Sequence, residues 1–173
     1  MKTPFLLPAV DFKIREKNEY GDYTWTEQSS YDLFGSGTVL ILGIPGAFTP
    51  TCSDKQVPEY DKLAEDFYDR GIDAIYIVTV NDSFVANQWA KQLNLQNVEV
   101  IPDGSGEFTK QMNMLVAKDN LGMGNRSWRY VVIADNGRIQ AEFVERGFED
   151  NCHSDPYSET RPERILEWLD TYA

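Results

Sequence analysis

Val39-Leu40-Ile41-Leu42 and Ala74-Ile75-Tyr76-Ile77-Val78-Thr79-Val80 are runs without the polar–apolar alternation of a half-exposed strand. Such runs mark strands covered on both faces, which restricts the chain to layered folds with a buried sheet. Between the two runs, Tyr60, Leu63, Ala64 and Phe67 recur at helical spacing, and Gly71 stands where a helix C-cap is expected. Pro58 lies inside that helix and should bend or interrupt it, because it has no N–H and crowds the preceding turn. After the second run, Asp82 or Ser83 can cap a helix through Phe84, Trp89 and Leu93. The rhythm is strand, helix, strand, helix.

Val98-Glu99-Val100-Ile101 ends at the turn signal Pro102-Asp103-Gly104, and a short helix is predicted over Phe108 to Leu115. Tyr130 to Ala134 and Arg138 to Val144 flank Asp135-Asn136-Gly137, and Asn-Gly between two apolar runs is the strongest short hairpin signal. Thr160 can cap a last helix with Pro162 in its first turn and Ile165, Leu166, Trp168 and Leu169 for its buried face. At the amino end, Phe12 to Arg15 and Tyr23 to Thr26 alternate around Asn18-Glu19-Tyr20-Gly21-Asp22, which predicts a β-hairpin. At 173 residues, with 42% hydrophobic content and no repeat or linker, the expectation is a single domain over 1–173.

The first buried strand runs into Pro45-Gly46-Ala47-Phe48-Thr49-Pro50-Thr51-Cys52, which puts a thiol at a helix start. Unpaired N–H groups and the positive end of the backbone dipole there favour thiolate over thiol. Sites of that kind lower a cysteine pKa from about 8.5 to about 3.5–7.5. Thr49 as N-cap and Pro50 at the first helical position would put Cys52 in the first turn. Thr51 as cap with Asp54 completing a capping box would do the same. A plain strand-to-helix loop ending in a buried cysteine fits the spacing equally well.

A net charge of −12 argues against nucleic-acid or anionic-membrane partners, which would be repelled. No window approaches the roughly 20 apolar residues of a membrane helix, and the amino terminus lacks a secretory h-region, so a cytoplasmic protein is expected. Two cysteines in this length are not the density of a disulfide-stapled domain.

Pro45-x-x-x-Thr49-x-x-Cys52 resembles the peroxiredoxin active-site signature, and the fuller string PGAFTPTCS resembles the peroxiredoxin 5 subfamily. Further matches follow in family order: Val80-Asn81-Asp82-Ser83-Phe84-Val85, Ile101-Pro102-Asp103-Gly104 and Gly124-Asn125-Arg126-Ser127-Trp128-Arg129-Tyr130. The resemblance implies an α/β, thioredoxin-like fold: a central mixed sheet flanked by helices, with the amino-terminal β-hairpin as an extension. It implies a peroxidase in which Cys52 attacks the O–O bond and becomes a sulfenic acid. Thr49 would hydrogen-bond the peroxide, Pro45 would shield the sulfur, and Arg129 would stabilise the leaving oxygen, with Arg126 the runner-up. Phe48, Leu121 and Met123 are candidates for an apolar wall at the substrate. The resemblance also implies no bound cofactor and no metal, glutathione as reducing co-substrate, glutaredoxin as partner, and a homodimer formed near Phe48 and Trp89.

Cys152 lies in the polar loop Glu149-Asp150-Asn151-Cys152-His153-Ser154-Asp155-Pro156, which reads as exposed. It is a possible resolving thiol. Other chemistries fit less well. A C-x-x-C oxidoreductase fails because Thr49 and Lys55 occupy the places three residues from Cys52. A cysteine hydrolase needs a histidine base, and the single histidine is His153 in the distant loop. Cys152 and His153 lack further metal ligands at recognisable spacing, and Gly122-x-Gly124-x-x-Ser127 is an incomplete dinucleotide motif. A peroxide sensor or relay uses the same thiolate and stays open at this level.

Overall fold

The computed structural model describes residues 2–172. An antiparallel hairpin of β1 (Asp11–Lys17) and β2 (Tyr23–Ser29) leads into a short helix, α1 (Ser30–Phe34). Then comes β3 (Thr38–Ile44), buried at every position after Thr38. The chain continues through α2 (Val57–Lys62), α3 (Ala64–Tyr68), β4 (Ala74–Thr79), α4 (Ser83–Leu93) and β5 (Glu99–Pro102). After α5 (Glu107–Gln111), β6 (Leu115–Ala117) and β7 (Asn125–Ser127) form a small antiparallel pair. The hairpin β8 (Tyr130–Asp135) and β9 (Arg138–Val144) and the closing helix α6 (Pro162–Tyr172) complete the order.

Five strands make one mixed sheet in the order β5-β4-β3-β8-β9. β3 pairs in parallel with β4 and antiparallel with β8, so Leu40 faces Ile75 on one side and Ile133 on the other. The continuous apolar runs follow from this placement, because each face of the sheet carries its own core. Leu40, Leu42 and Ile44 pack with Tyr60, Phe67, Trp89, Ile165 and Leu169 from the helices on one face. Val39 and Ile41 pack with Phe12, Phe34, Phe108, Met114 and Trp128 on the other. This is the thioredoxin-like arrangement with an amino-terminal hairpin. Asn136 and Gly137, both at positive φ, form the turn between β8 and β9 that the Asn-Gly pair predicts.

Local details depart from the sequence reading where a side chain or backbone has a competing partner. Of the stripe Tyr60, Leu63, Ala64 and Phe67, all but the half-buried Leu63 are fully buried, and the helix carrying it breaks at Leu63 into α2 and α3. It closes at Gly71 through Ile72 N–H donating to the Phe67 carbonyl. Asp82, not Ser83, caps α4 by accepting from Val85 N–H at 3.0 Å. The Ser83 hydroxyl instead accepts from Arg15 N–H in the hairpin. The short helix α5 stops at Gln111 rather than Leu115, since Asn113 takes a left-handed conformation and Leu115 joins β6. Thr160 does not cap the last helix; its hydroxyl donates to the buried Glu145 carboxylate at 2.8 Å.

Gly43, in register with Tyr130 on β8, shows how tightly β3 is covered near the loop that follows it. A Cβ at this position would lie 1.9 Å from the Tyr130 ring. Only glycine lets that buried ring lie across the strand.

Candidate active site

The loop Pro45–Thr49 leaves the end of β3 with Pro45, Gly46 and Ala47 buried. Phe48 is held at φ 62°, a left-handed backbone that costs a non-glycine residue about 1–3 kcal/mol and persists where neighbours over-determine it. Asn81, just past β4, is such a neighbour. Its Oδ1 accepts from Ala47 N–H at 2.9 Å and from the Thr79 hydroxyl at 2.7 Å, tying the loop to the adjacent strand. The Thr49 carbonyl accepts from Ser53 N–H as a helix begins, but the Thr49 hydroxyl donates to the Gly46 carbonyl at 2.7 Å and does not cap. Thr51 is already helical and makes no cap, so the alternative capping box is absent.

Cys52 opens a π-helical segment, Cys52–Gln56, in which Val57 N–H reaches back to the Cys52 carbonyl. The wide turn meets the expectation for Pro58. A residue without an N–H follows directly, and one extra residue per turn shifts the hydrogen-bond ladder around it. The side chains of Cys52 and Gln56 are both fully buried. Trp89 is buried too and donates its indole N–H to the Ser53 hydroxyl, so it buttresses this segment from α4 and offers no surface for a subunit contact.

Arg129, immediately before β8, is 1% exposed. Its Nη1 donates to Cys52 Sγ at 3.4 Å and to Gln56 Oε1. Nη2 meets Asp155 Oδ1 at 2.5 Å, and Nε donates to the Pro156 carbonyl at 3.1 Å. Burial works to lower the guanidinium pKa, but the charges of Cys52 and Asp155 and their hydrogen bonds outweigh it and raise it, so the cation is secure. Gln56 is oriented in turn: its Nε2 donates to the Thr160 hydroxyl, which donates to Glu145. Arg126 lies over the same loop without bonding the sulfur. Its Nε donates to the Met123 carbonyl, and its Nη1 would be 2.8 Å from a Cβ on Gly46.

The remaining sequence candidates differ in exposure. Phe48 is 46% exposed, Leu121 is 62% exposed at the end of a 3₁₀ turn (Asp119–Leu121), and Met123 is half-buried. Cys152 is buried at 5%, contrary to its polar surroundings in sequence. Asn151, at φ 55°, donates its N–H to the Ala117 carbonyl, and Asp150 accepts from Ala117 N–H, which turns the thiol inward. The two cysteines are both free, and they belong to the cores on opposite faces of the sheet. Gln56, Asn81, Glu145 and Asp155 emerge only in three dimensions.

The guanidinium on the Cys52 sulfur places a positive charge beside that atom and offers N–H groups to an adjacent oxygen. The comparisons with known proteins agree with this chemistry. Residues 16–154 match the Redoxin family. The chain is 47% identical over 170 residues to peroxiredoxin y4vD of Sinorhizobium fredii, covering 96% of this chain and 90% of that one. Among solved structures, the Plasmodium falciparum antioxidant protein, a 1-Cys peroxiredoxin, superposes with a TM-score of 0.90 at 34% identity, covering 95% of this chain and 97% of that one. Reduced Prx3 from Vibrio vulnificus in complex with hydrogen peroxide superposes with a TM-score of 0.83 at 29% identity, over 98% and 96% of the two chains. Family match, near-full-length identity and the shared fold carry one conclusion: the chain belongs to the peroxiredoxins, the cysteine-based thiol peroxidases.

Proposed function

We propose that the chain reduces hydrogen peroxide and organic hydroperoxides at Cys52, and that glutathione, with glutaredoxin, returns the oxidised sulfur to the thiol. The observation that carries the first part is the Arg129 Nη1 contact on Cys52 Sγ. The thiolate attacks one peroxide oxygen, forming an S–O bond as the O–O bond breaks. Cys52 becomes a sulfenic acid, and the departing alkoxide or hydroxide takes a proton. Arg129 stabilises that leaving oxygen. Thr49 already spends its one hydroxyl hydrogen on the Gly46 carbonyl, so toward a peroxide O–H it acts as acceptor. Pro45, buried at the end of β3, shields the sulfur, and Phe48, Leu121 and Met123 form an apolar rim.

For recycling, glutathione thiolate attacks the sulfenic sulfur, hydroxide leaves and takes up a proton to become water, and a mixed disulfide remains. A second glutathione or glutaredoxin then releases Cys52 with a new disulfide as product. The two free thiols on opposite sheet faces support this route over resolution by Cys152, and so does likeness to a protein named a 1-Cys peroxiredoxin. The reading places the chain in the peroxiredoxin 5 subfamily and in a reducing, cytoplasmic compartment. Cys152→Ser should keep glutathione-supported turnover nearly intact, and mass spectrometry after one equivalent of peroxide with glutathione should show the adduct on Cys52. Rapid Cys52–Cys152 disulfide with turnover lost in Cys152→Ser would refute the route. One round of oxidation without sustained turnover would favour a peroxide sensor.

The same reading includes a homodimer built on the face bearing Phe48, whose ring is half-exposed beside the active-site loop. Sedimentation of the reduced protein at micromolar concentration should give a dimer, reduced to monomer by Phe48→Asp. A wild-type monomer counts against it.

A further inference from the structure

A guanidinium offers five N–H groups, and on Arg129 one is directed to the sulfur while three others are held by Gln56, Asp155 and Pro156. Its far side is gripped by a loop remote in sequence. Asp155 Oδ1 takes Nη2 at 2.5 Å and the Pro156 carbonyl takes Nε at 3.1 Å. That loop is itself pinned at both ends. Before Asp155, Asp150 and Asn151 bond the Ala117 backbone, Asn151 Oδ1 accepts from Asn120 N–H, and Cys152 is buried. After it, the buried Glu145 carboxylate accepts from Ser158 N–H and Thr160 N–H, both at 2.9 Å. The Asp155 side chain is 46% exposed and the Arg129 side chain 1% exposed, so the carboxylate reaches inward to the guanidinium from a fixed perch.

We propose that Asp155 is a positioning residue for peroxide reduction: with the Pro156 carbonyl it clamps the outer edge of the Arg129 guanidinium, so that the remaining Nη2 hydrogen faces the leaving oxygen, while Nη1 is kept on Cys52 by the sulfur and Gln56. Preorganised donors stabilise charge developing in the transition state because they need not move during reaction, and a donor misplaced by 1 Å loses most of that effect. Gln56 and the Asp155–Pro156 pair grip opposite ends of the same plane. Loss of the outer grip leaves Nη1 held by Cys52 and Gln56 while the Nη2 end of the plane tilts away from the leaving oxygen.

The proposal rests on Cys52 being the peroxide-reducing thiol, which wild-type protein tests by itself. Failure of wild-type Cys52 to be oxidised by hydrogen peroxide would overturn that reading, not the clamp alone. In single-turnover stopped flow, Asp155→Ala should lower the second-order rate of Cys52 oxidation by about tenfold or more. Asp155→Asn keeps an acceptor oxygen at the same reach and should recover most of the rate. Alkylation of Cys52 by iodoacetamide needs the sulfur nucleophile but no donor to a leaving oxygen, and in both variants it should change by less than about threefold. Thermal unfolding identifies any variant that fails to fold, and the asparagine variant then carries the comparison through its own rate and alkylation. Wild-type oxidation in Asp155→Ala would overturn the proposal. So would an equal fall in alkylation, which locates the effect at the sulfur, or an Asp155→Asn as slow as Asp155→Ala, which makes charge and not placement the requirement.

Discussion

Cys52→Ser should abolish peroxide consumption while leaving the protein folded. The sulfur is the only atom at this site positioned as a nucleophile: it stands in the first turn of a helix, fully buried, with Arg129 Nη1 at 3.4 Å. A serine hydroxyl in its place is neutral near pH 7, has no base beside it, and cannot form the S–O bond on which turnover depends. Loss of a nucleophile of this kind costs about 10⁴-fold or more, which places the variant at the background rate. Serine is close to cysteine in volume and can still accept from Arg129, so the core around Tyr60 and Val57 keeps its packing and the melting transition should stay cooperative. Peroxide loss measured with excess glutathione, alongside thermal unfolding, checks both halves. Turnover close to wild type in a folded Cys52→Ser protein would sink the peroxidase reading at this site.

The helix start at Cys52 was legible in the chain because its signals are local. An apolar run ends, two prolines and two threonines follow, and an amphipathic stretch begins. The buried strands were legible for a similar reason, since a strand covered on both faces has no polar position to interrupt it. What was not legible depends on contacts between distant segments. Gln56 meets Arg129 across 73 positions, and Asp155 meets it across 26 from a loop whose composition suggests only solvent. Thr49 looks like a cap, and the competing Gly46 carbonyl three residues back takes its hydroxyl instead. Cys152 reads as exposed because its neighbours are polar. Those neighbours spend their polar groups on the Ala117 and Asn120 segment, and the thiol turns into the core.

Arg129→Gln should slow Cys52 oxidation by about 10²–10³-fold, the usual loss when a preorganised donor to a developing oxyanion is removed. Glutamine is shorter and uncharged, so it neither reaches the sulfur as the guanidinium does nor meets the negative charge that appears as the O–O bond breaks. The fold should tolerate the change better than the rate does. The carboxylate left behind, Asp155, is half-exposed and can turn to water, and removing a buried cation relieves the desolvation that opposes its charge. Arg126→Gln supplies the internal control. That side chain lies over the same loop but is fastened to the Met123 carbonyl and makes no bond to Cys52. Its loss should therefore cost much less in the same stopped-flow measurement. An order reversed between the two variants would move the oxyanion role to Arg126 and leave Arg129 as an ion-pair partner of Asp155, holding the thiolate without assisting the departing oxygen.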